Sequence, residues 1–259
     1  MNSTTLQLLA APLALAIATA ALAAGKASAP SPWLNSQITQ SALKSGHVTA
    51  NGVSYYYQVH GKGGRRQAET LLLLHGGLGQ IEMFGPNLTA LAKGRRVIGV
   101  DLQGHGRSSL GDREFSLVEM GDDMATVLKS LGYSRVDVMG YSMGGGVAFQ
   151  LAAQHPEMVR RLVLVSAGFS QEGFYPEMLP MQAAVGAAMA EQMKGTPMYE
   201  SYMALSPRPQ DFPKLLDRMG ALMRKPYDWS ADVKKLTMPT LLVFGDQRHV
   251  PAGTCGEVL

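Results

Sequence analysis

An α/β fold, with a mostly parallel sheet carrying helices on both faces, is predicted for this 259-residue chain by two observations. Continuous apolar runs of strand length at 70–74, 96–101, 136–139, 161–166 and 240–244 alternate with segments of helical spacing. A strand with no polar alternation is one buried on both sides, so it needs helices above and below it. The second observation is Val136-Asp137-Val138-Met139-Gly140-Tyr141-Ser142-Met143-Gly144-Gly145-Gly146-Val147, an apolar strand that passes through Gly-x-Ser-x-Gly directly into a helix.

Composition supports one large domain with an insertion. The chain is 46% hydrophobic and 17% charged, which excludes a disordered protein, and no internal repeat is visible. A formal charge of +3, spread over scattered basic residues, leaves no footprint for nucleic acid. Cys255 is the single cysteine, so no intramolecular disulfide forms, and the six histidines lack metal-ligand spacing. Neither a metal nor a cofactor is implied.

Taken in order, residues 6–24 form an alanine-rich apolar run followed by Gly25, Lys26 and Ala27-Ser28-Ala29, so 1–29 reads as a secretory signal peptide. The protein is then exported, periplasmic or secreted. At about 19 residues the run is also long enough to serve as a membrane anchor. Residues 30–46, with Pro30 and Pro32, read as a linker. Strands around 48–49 and 53–59 flank Asn51-Gly52, a hairpin signal. The buried strand 70–74 ends in His75-Gly76-Gly77-Leu78-Gly79, where glycines let backbone N–H groups face a ligand.

A helix around 82–93 leads to strand 96–101 and then to Leu102-Gln103-Gly104-His105-Gly106-Arg107-Ser108. Residues 116–131 have helical spacing, with Ser116 as N-cap and Glu119 completing a capping box. The Gly-x-Ser-x-Gly segment has the form of a nucleophile elbow: its serine sits on a strained turn with Oγ pushed out of the sheet at a helix N-terminus. Ser142 is the candidate nucleophile, and the amides of Met143 and Gly77 are the candidate oxyanion donors. The elbow helix runs to about His155 and stops at Pro156. From 169 to 236 the pattern changes to short methionine-rich helical pieces broken by prolines, with no clear strand.

Strand-His-Gly-Gly, strand-Asp-x-x-Gly-His-Gly-x-Ser and Gly-Tyr-Ser-Met-Gly-Gly, in this order, resemble the α/β-hydrolase fold family among its cofactor-independent serine members. The resemblance covers about residues 47–246. It implies an α/β-hydrolase core at 47–168 and 237–259 with a helical cap inserted at 169–236. It also implies that Asp101 and His105 fix their loop rather than act in catalysis. Met178, Met181, Met189, Met193, Met198, Met203, Met219 and Met223 either line an adaptable apolar pocket or pack the cap's own core. A cap of this length suits a small apolar acyl substrate.

Gly245-Asp246 opens what the family writes as Gly-Asp-x-Asp, but Arg248 occupies the second acidic position. Asp246 is the remaining candidate acid. The family's general-base histidine has no counterpart in this chain apart from His249, which shares a loop with Asp246, so the chain reads as truncated before that base. Codons compatible with residues 248–259, read one base on, encode Gly-Met-Phe-Arg-Pro-Glu-His-Val-Ala-Lys-Phe, so a frameshift is one account, decided by the DNA after the Gln247 codon. The expected activity is a serine hydrolase acting on an ester or similar acyl substrate through an acyl-enzyme. The alternatives are a catalytically inactive hydrolase-fold protein, a carbon–carbon bond hydrolase and a cofactor-free haloperoxidase. Serine at the elbow argues against the epoxide hydrolases and haloalkane dehalogenases, which place aspartate there.

Overall fold

The computed structural model describes residues 42–63, 70–174 and 176–244. The segment read as signal peptide or anchor, most of the proposed linker, and the stretch 245–259 with Asp246 and His249 lie outside the described residues.

Seven strands make one sheet: β1 (Lys44–Ala50), β2 (Val53–His60), β3 (Leu71–Leu74), β4 (Val97–Val100), β5 (Val136–Tyr141), β6 (Val159–Val165) and β7 (Thr240–Val243). Their order is β1-β2-β4-β3-β5-β6-β7. The pairs β1/β2 and β2/β4 are antiparallel, and the other four are parallel. β1 opens at Lys44, so the end of the segment read as linker is strand. At the hairpin, Asn51 and Gly52 take φ values of 47° and 80°, the pair of positive angles that a two-residue type I′ turn demands.

β3 shows why these strands lack polar alternation. Leu72 and Leu74 join a large cluster that includes Ile98, Val138, Met120 and Val147, while Leu71 and Leu73 join a smaller one with Ile81, Leu88 and Val97. Successive side chains point to opposite faces, so a strand with a core on each side has no polar face. Each such leucine contributes about 1.5–3 kcal/mol by burial. The large cluster lies under α2 (Leu117–Ser130) and α3 (Met143–Gln154), and the small one under a 3-10 turn (Ile81–Phe84) and α1 (Gly85–Leu91). The helix expected around 82–93 is thus broken at Gly85. α2 is capped as anticipated by the Ser116 hydroxyl, which accepts the Glu119 N–H at 3.3 Å. The Glu119 carboxylate lies 3.9 Å from Arg113.

Between β6 and β7 the chain forms α4 (Met178–Ala183), α5 (Pro197–Leu205), α6 (Phe212–Arg224) and α7 (Ser230–Val233). α6 is amphipathic: Phe212, Leu215, Leu216, Met219 and Gly220 are buried at helical spacing. It is fastened to the core by Arg218, whose guanidinium donates to the carbonyls of Leu110, Gly111 and Asp112 at 2.9, 2.8 and 3.3 Å. α5 is tied down by the Gln80 amide, which donates to the Ser201 hydroxyl. β7 is the sheet edge among the described residues, with Leu241 57% exposed. No helix among the described residues is long and apolar enough to cross a membrane.

Candidate active site

Ser142 carries the whole reversal between β5 and α3. Its φ of 50° and ψ of −118° lie outside the regions that a residue with a Cβ adopts freely, at a cost of about 1–3 kcal/mol. The surroundings hold it there. Ser142 N–H donates to Val165 O on β6 at 2.8 Å, and Ser142 O accepts from the amides of Gly145 and Gly146 at 2.8 and 3.2 Å. A Cβ on Gly140 would lie 2.1 Å from Gly144 O, and one on Gly144 would lie 2.3 Å from His75 O. Only glycine at both positions lets the first turn of α3 rest on the end of β3. The Ser142 side chain is exposed, and its hydroxyl caps no helix N–H.

The loop leaving β3 runs beside this serine. A Cβ on Gly76 would lie 3.3 Å from Ser142 Cβ. Among the described residues neither Gly77 N–H nor Met143 N–H finds a hydrogen-bond acceptor, and both residues are partly exposed. The cap reaches the same loop: a Cβ on Gly77 would meet Met219 Cε at 2.6 Å and Met143 Sδ at 3.9 Å. Two thioethers therefore wall one side of the Gly77 backbone. Met219 of α6, buried in the large cluster together with Met193, is brought to this loop, and Met189, Met198, Met203 and Met223 pack against that cluster.

Behind the loop lies a buried polar layer. Asp101 Oδ1 accepts from Ile81 N–H and Oδ2 from Arg107 N–H, each at 2.9 Å. The Arg107 guanidinium stands 3.5 Å from Asp101 and 2.8 Å from Glu82. Burial pushes the Asp101 carboxyl up to about 7, against the hydrogen bond from Arg107 N–H, which favours the anion. His105 Nδ1 donates to Gln103 O at 2.8 Å, and its Nε2 has no partner among the described residues. Burial holds His105 down to about 4 and, helped by the neighbouring His105, holds His75 down to about 3. Both imidazoles are neutral at pH 7. Asp101 and His105 thus fasten the 101–108 loop, and among the described residues neither is hydrogen-bonded to Ser142.

The other described histidines are engaged elsewhere, His47 at Arg107 O, His60 at Gln58 and His155 at Asp122. No described histidine is hydrogen-bonded to Ser142. No group of residues among those described could hold a metal ion. The layer was half visible in the sequence: Asp101 and His105 stand in a readable motif, but the ties of His75 and Arg218 carry no local signal.

Residues 69–252 match the α/β-hydrolase fold family, and the chain belongs to it. Over 120 residues it is 38% identical to a putative carbamate hydrolase, RutD, of Azorhizobium caulinodans, a match covering 46% of this chain and 43% of that protein. A second relative is the dihydrolipoyllysine-residue acetyltransferase component of the acetoin cleaving system of Cupriavidus necator, 38% identical over 45% of this chain and 30% of that one. The chain spans less than half the length of these curated relatives. Among solved structures, carboxylesterase CesB of Bacillus subtilis superposes with a TM-score of 0.62 at 23% identity, covering 93% of this chain and 83% of CesB. At that identity the likeness shows the fold alone.

Proposed function

We propose that this protein is a serine hydrolase that attacks an ester or similar acyl carbonyl through Ser142 and passes through an acyl-enzyme. One observation carries the reading: an exposed serine hydroxyl, held on a strained turn, stands beside two backbone amides with no acceptor among the described residues. Two backbone donors that face the same space as one hydroxyl fit a site for an anionic oxygen. Attack forms the Oγ–acyl carbon bond as the Ser142 proton passes to water, places negative charge on the carbonyl oxygen between Gly77 and Met143, and breaks the carbon–oxygen bond to the alcohol, which takes a proton from water as the tetrahedral centre collapses. Water then cleaves the acyl-enzyme. The thioether wall of Met219 and Met143 favours a small apolar acyl group. The name of one relative, a putative carbamate hydrolase, agrees with acyl chemistry.

The proton of Ser142 has no acceptor among the described histidines. Loss of the base in such sites costs on the order of a million-fold in turnover, leaving about a thousand-fold or more over water. Hydrolysis of p-nitrophenyl acetate and labelling by a fluorophosphonate test the reading. Both are expected in the full chain and lost in Ser142→Ala. Equal hydrolysis and labelling in the variant would overturn it.

A further inference from the structure

Among the described residues, the peptide joining Gly76 to Gly77 is gripped at its carbonyl end. Its carbonyl oxygen accepts from His75 Nδ1 at 2.7 Å and from Gly79 N–H at 3.1 Å. Every peptide bond described is trans, so in this unit C=O and N–H point in opposite directions. Fixing the Gly76 oxygen therefore aims the Gly77 N–H the other way, out of the buried layer.

The direction of the His75 bond follows from its second nitrogen. Nε2 lies 2.9 Å from Leu102 N, and a backbone N–H can only donate, so Nε2 is the bare acceptor nitrogen and the ring proton sits on Nδ1. Nδ1–H must then donate to Gly76 O. Leu102 follows Asp101, which is itself clamped by the amides of Ile81 and Arg107. A chain of bonds runs from that loop through one imidazole to one peptide plane.

We propose that His75 is a positioning residue: by fixing its tautomer on Leu102 N–H and holding Gly76 O, it sets the plane from which Gly77 N–H meets the oxyanion. The role rests on the hydrolase reading of Ser142. Two variants divide the functions of the ring. His75→Asn keeps a donor near the Nδ1 position, and His75→Gln keeps an acceptor near the Nε2 position while leaving Gly76 O without the ring donor.

On p-nitrophenyl acetate, His75→Asn is expected to stay within a few-fold of the parent. His75→Gln is expected to lose roughly 100-fold in kcat with KM unchanged, the scale for a misplaced or missing oxyanion donor. Equal kcat in the two variants, or a loss confined to KM, overturns the proposal. If the parent shows no Ser142-dependent hydrolysis, the hydrolase reading fails instead. The holding of the peptide is then read from ¹⁵N spectra of the full chain: the His75 ring proton is expected on Nδ1, and the Gly77 amide resonance is expected to move in His75→Gln but not in His75→Asn. A proton on Nε2, or matching Gly77 shifts in both variants, overturns it.

Discussion

Lowering the pH from 6.5 to 4 is expected to remove on the order of 3 kcal/mol of stability through three groups of the buried layer, and the figure follows from proton counts. His75 and His105 stay neutral in the folded protein down to about 3 and 4, whereas the unfolded chain protonates both below 6.5. A base with a lowered folded value favours folding above its unfolded value and loses that advantage as pH falls. Asp101 acts in the opposite sense. Folded, it keeps its proton up to about 7, and unfolded it gives the proton up above 3.8. Between pH 4 and 6.5 the unfolded chain therefore binds two protons at these sites and the folded protein one. A difference of one proton is worth about 1.36 kcal/mol per pH unit, and because the groups are only half titrated at the ends of the window the total over roughly 2.5 units is on the order of 3 kcal/mol. Urea unfolding at half-unit pH steps measures the slope. His105→Asn keeps a donor for Gln103 O and removes one titration, so its slope in this window is expected to fall to about zero. A variant with the parent's slope, or a parent whose stability is flat from pH 4 to 6.5, would refute the reasoning.

Replacing the residue at the strained turn tests its cost directly: Ser142→Gly relieves an unfavourable backbone geometry but adds freedom to the unfolded chain, for a net gain of about 1 kcal/mol, visible as a Tm higher by about 2–4 °C. In Tyr55→Phe the hydroxyl that donates to buried Asp123 at 2.5 Å is lost, leaving Arg113 and Asn51 as partners, and unfolding in urea should show a loss of about 1.5–3 kcal/mol. Arg218→Ala frees α6 from three carbonyls. Local opening of the cap should become easier by about 1–3 kcal/mol, so limited proteolysis within 169–236 should speed up roughly ten-fold or more while the melting of the core changes little.

What could be read in advance was carried by short-range pattern. The apolar runs located the strands because burial on both sides leaves no polar position, and the Gly-x-Ser-x-Gly spacing located the turn because Gly140 and Gly144 touch backbone where a Cβ would collide. Strand ends slipped where propensity alone sets them, as at Lys44 and Val159. Contacts across long stretches of chain were invisible. Arg218 reaches Leu110 over 108 positions, and the ring of His75 depends on Leu102, delivered only once β4 pairs with β3. His75 was read as the lead-in to a glycine loop, since nothing local marks which atoms its nitrogens will meet.

Gly144-Gly145-Gly146 open α3 with the residue type that, apart from proline, disfavours helix most, each by about 0.8–1.0 kcal/mol against alanine. A turn of that composition does not nucleate itself. It is assembled when neighbours close on it: His75 O against Gly144, Ala167 against Gly145, Leu117 and Trp229 against Gly146. The order of folding follows. β3, β5 and β6 must pair before the serine's turn has anything to lean on, so the site forms late and is lost early. In hydrogen exchange the amides of Gly145 and Gly146 should open ahead of the central strands, and a partly unfolded population would keep its sheet while the Ser142 turn is gone.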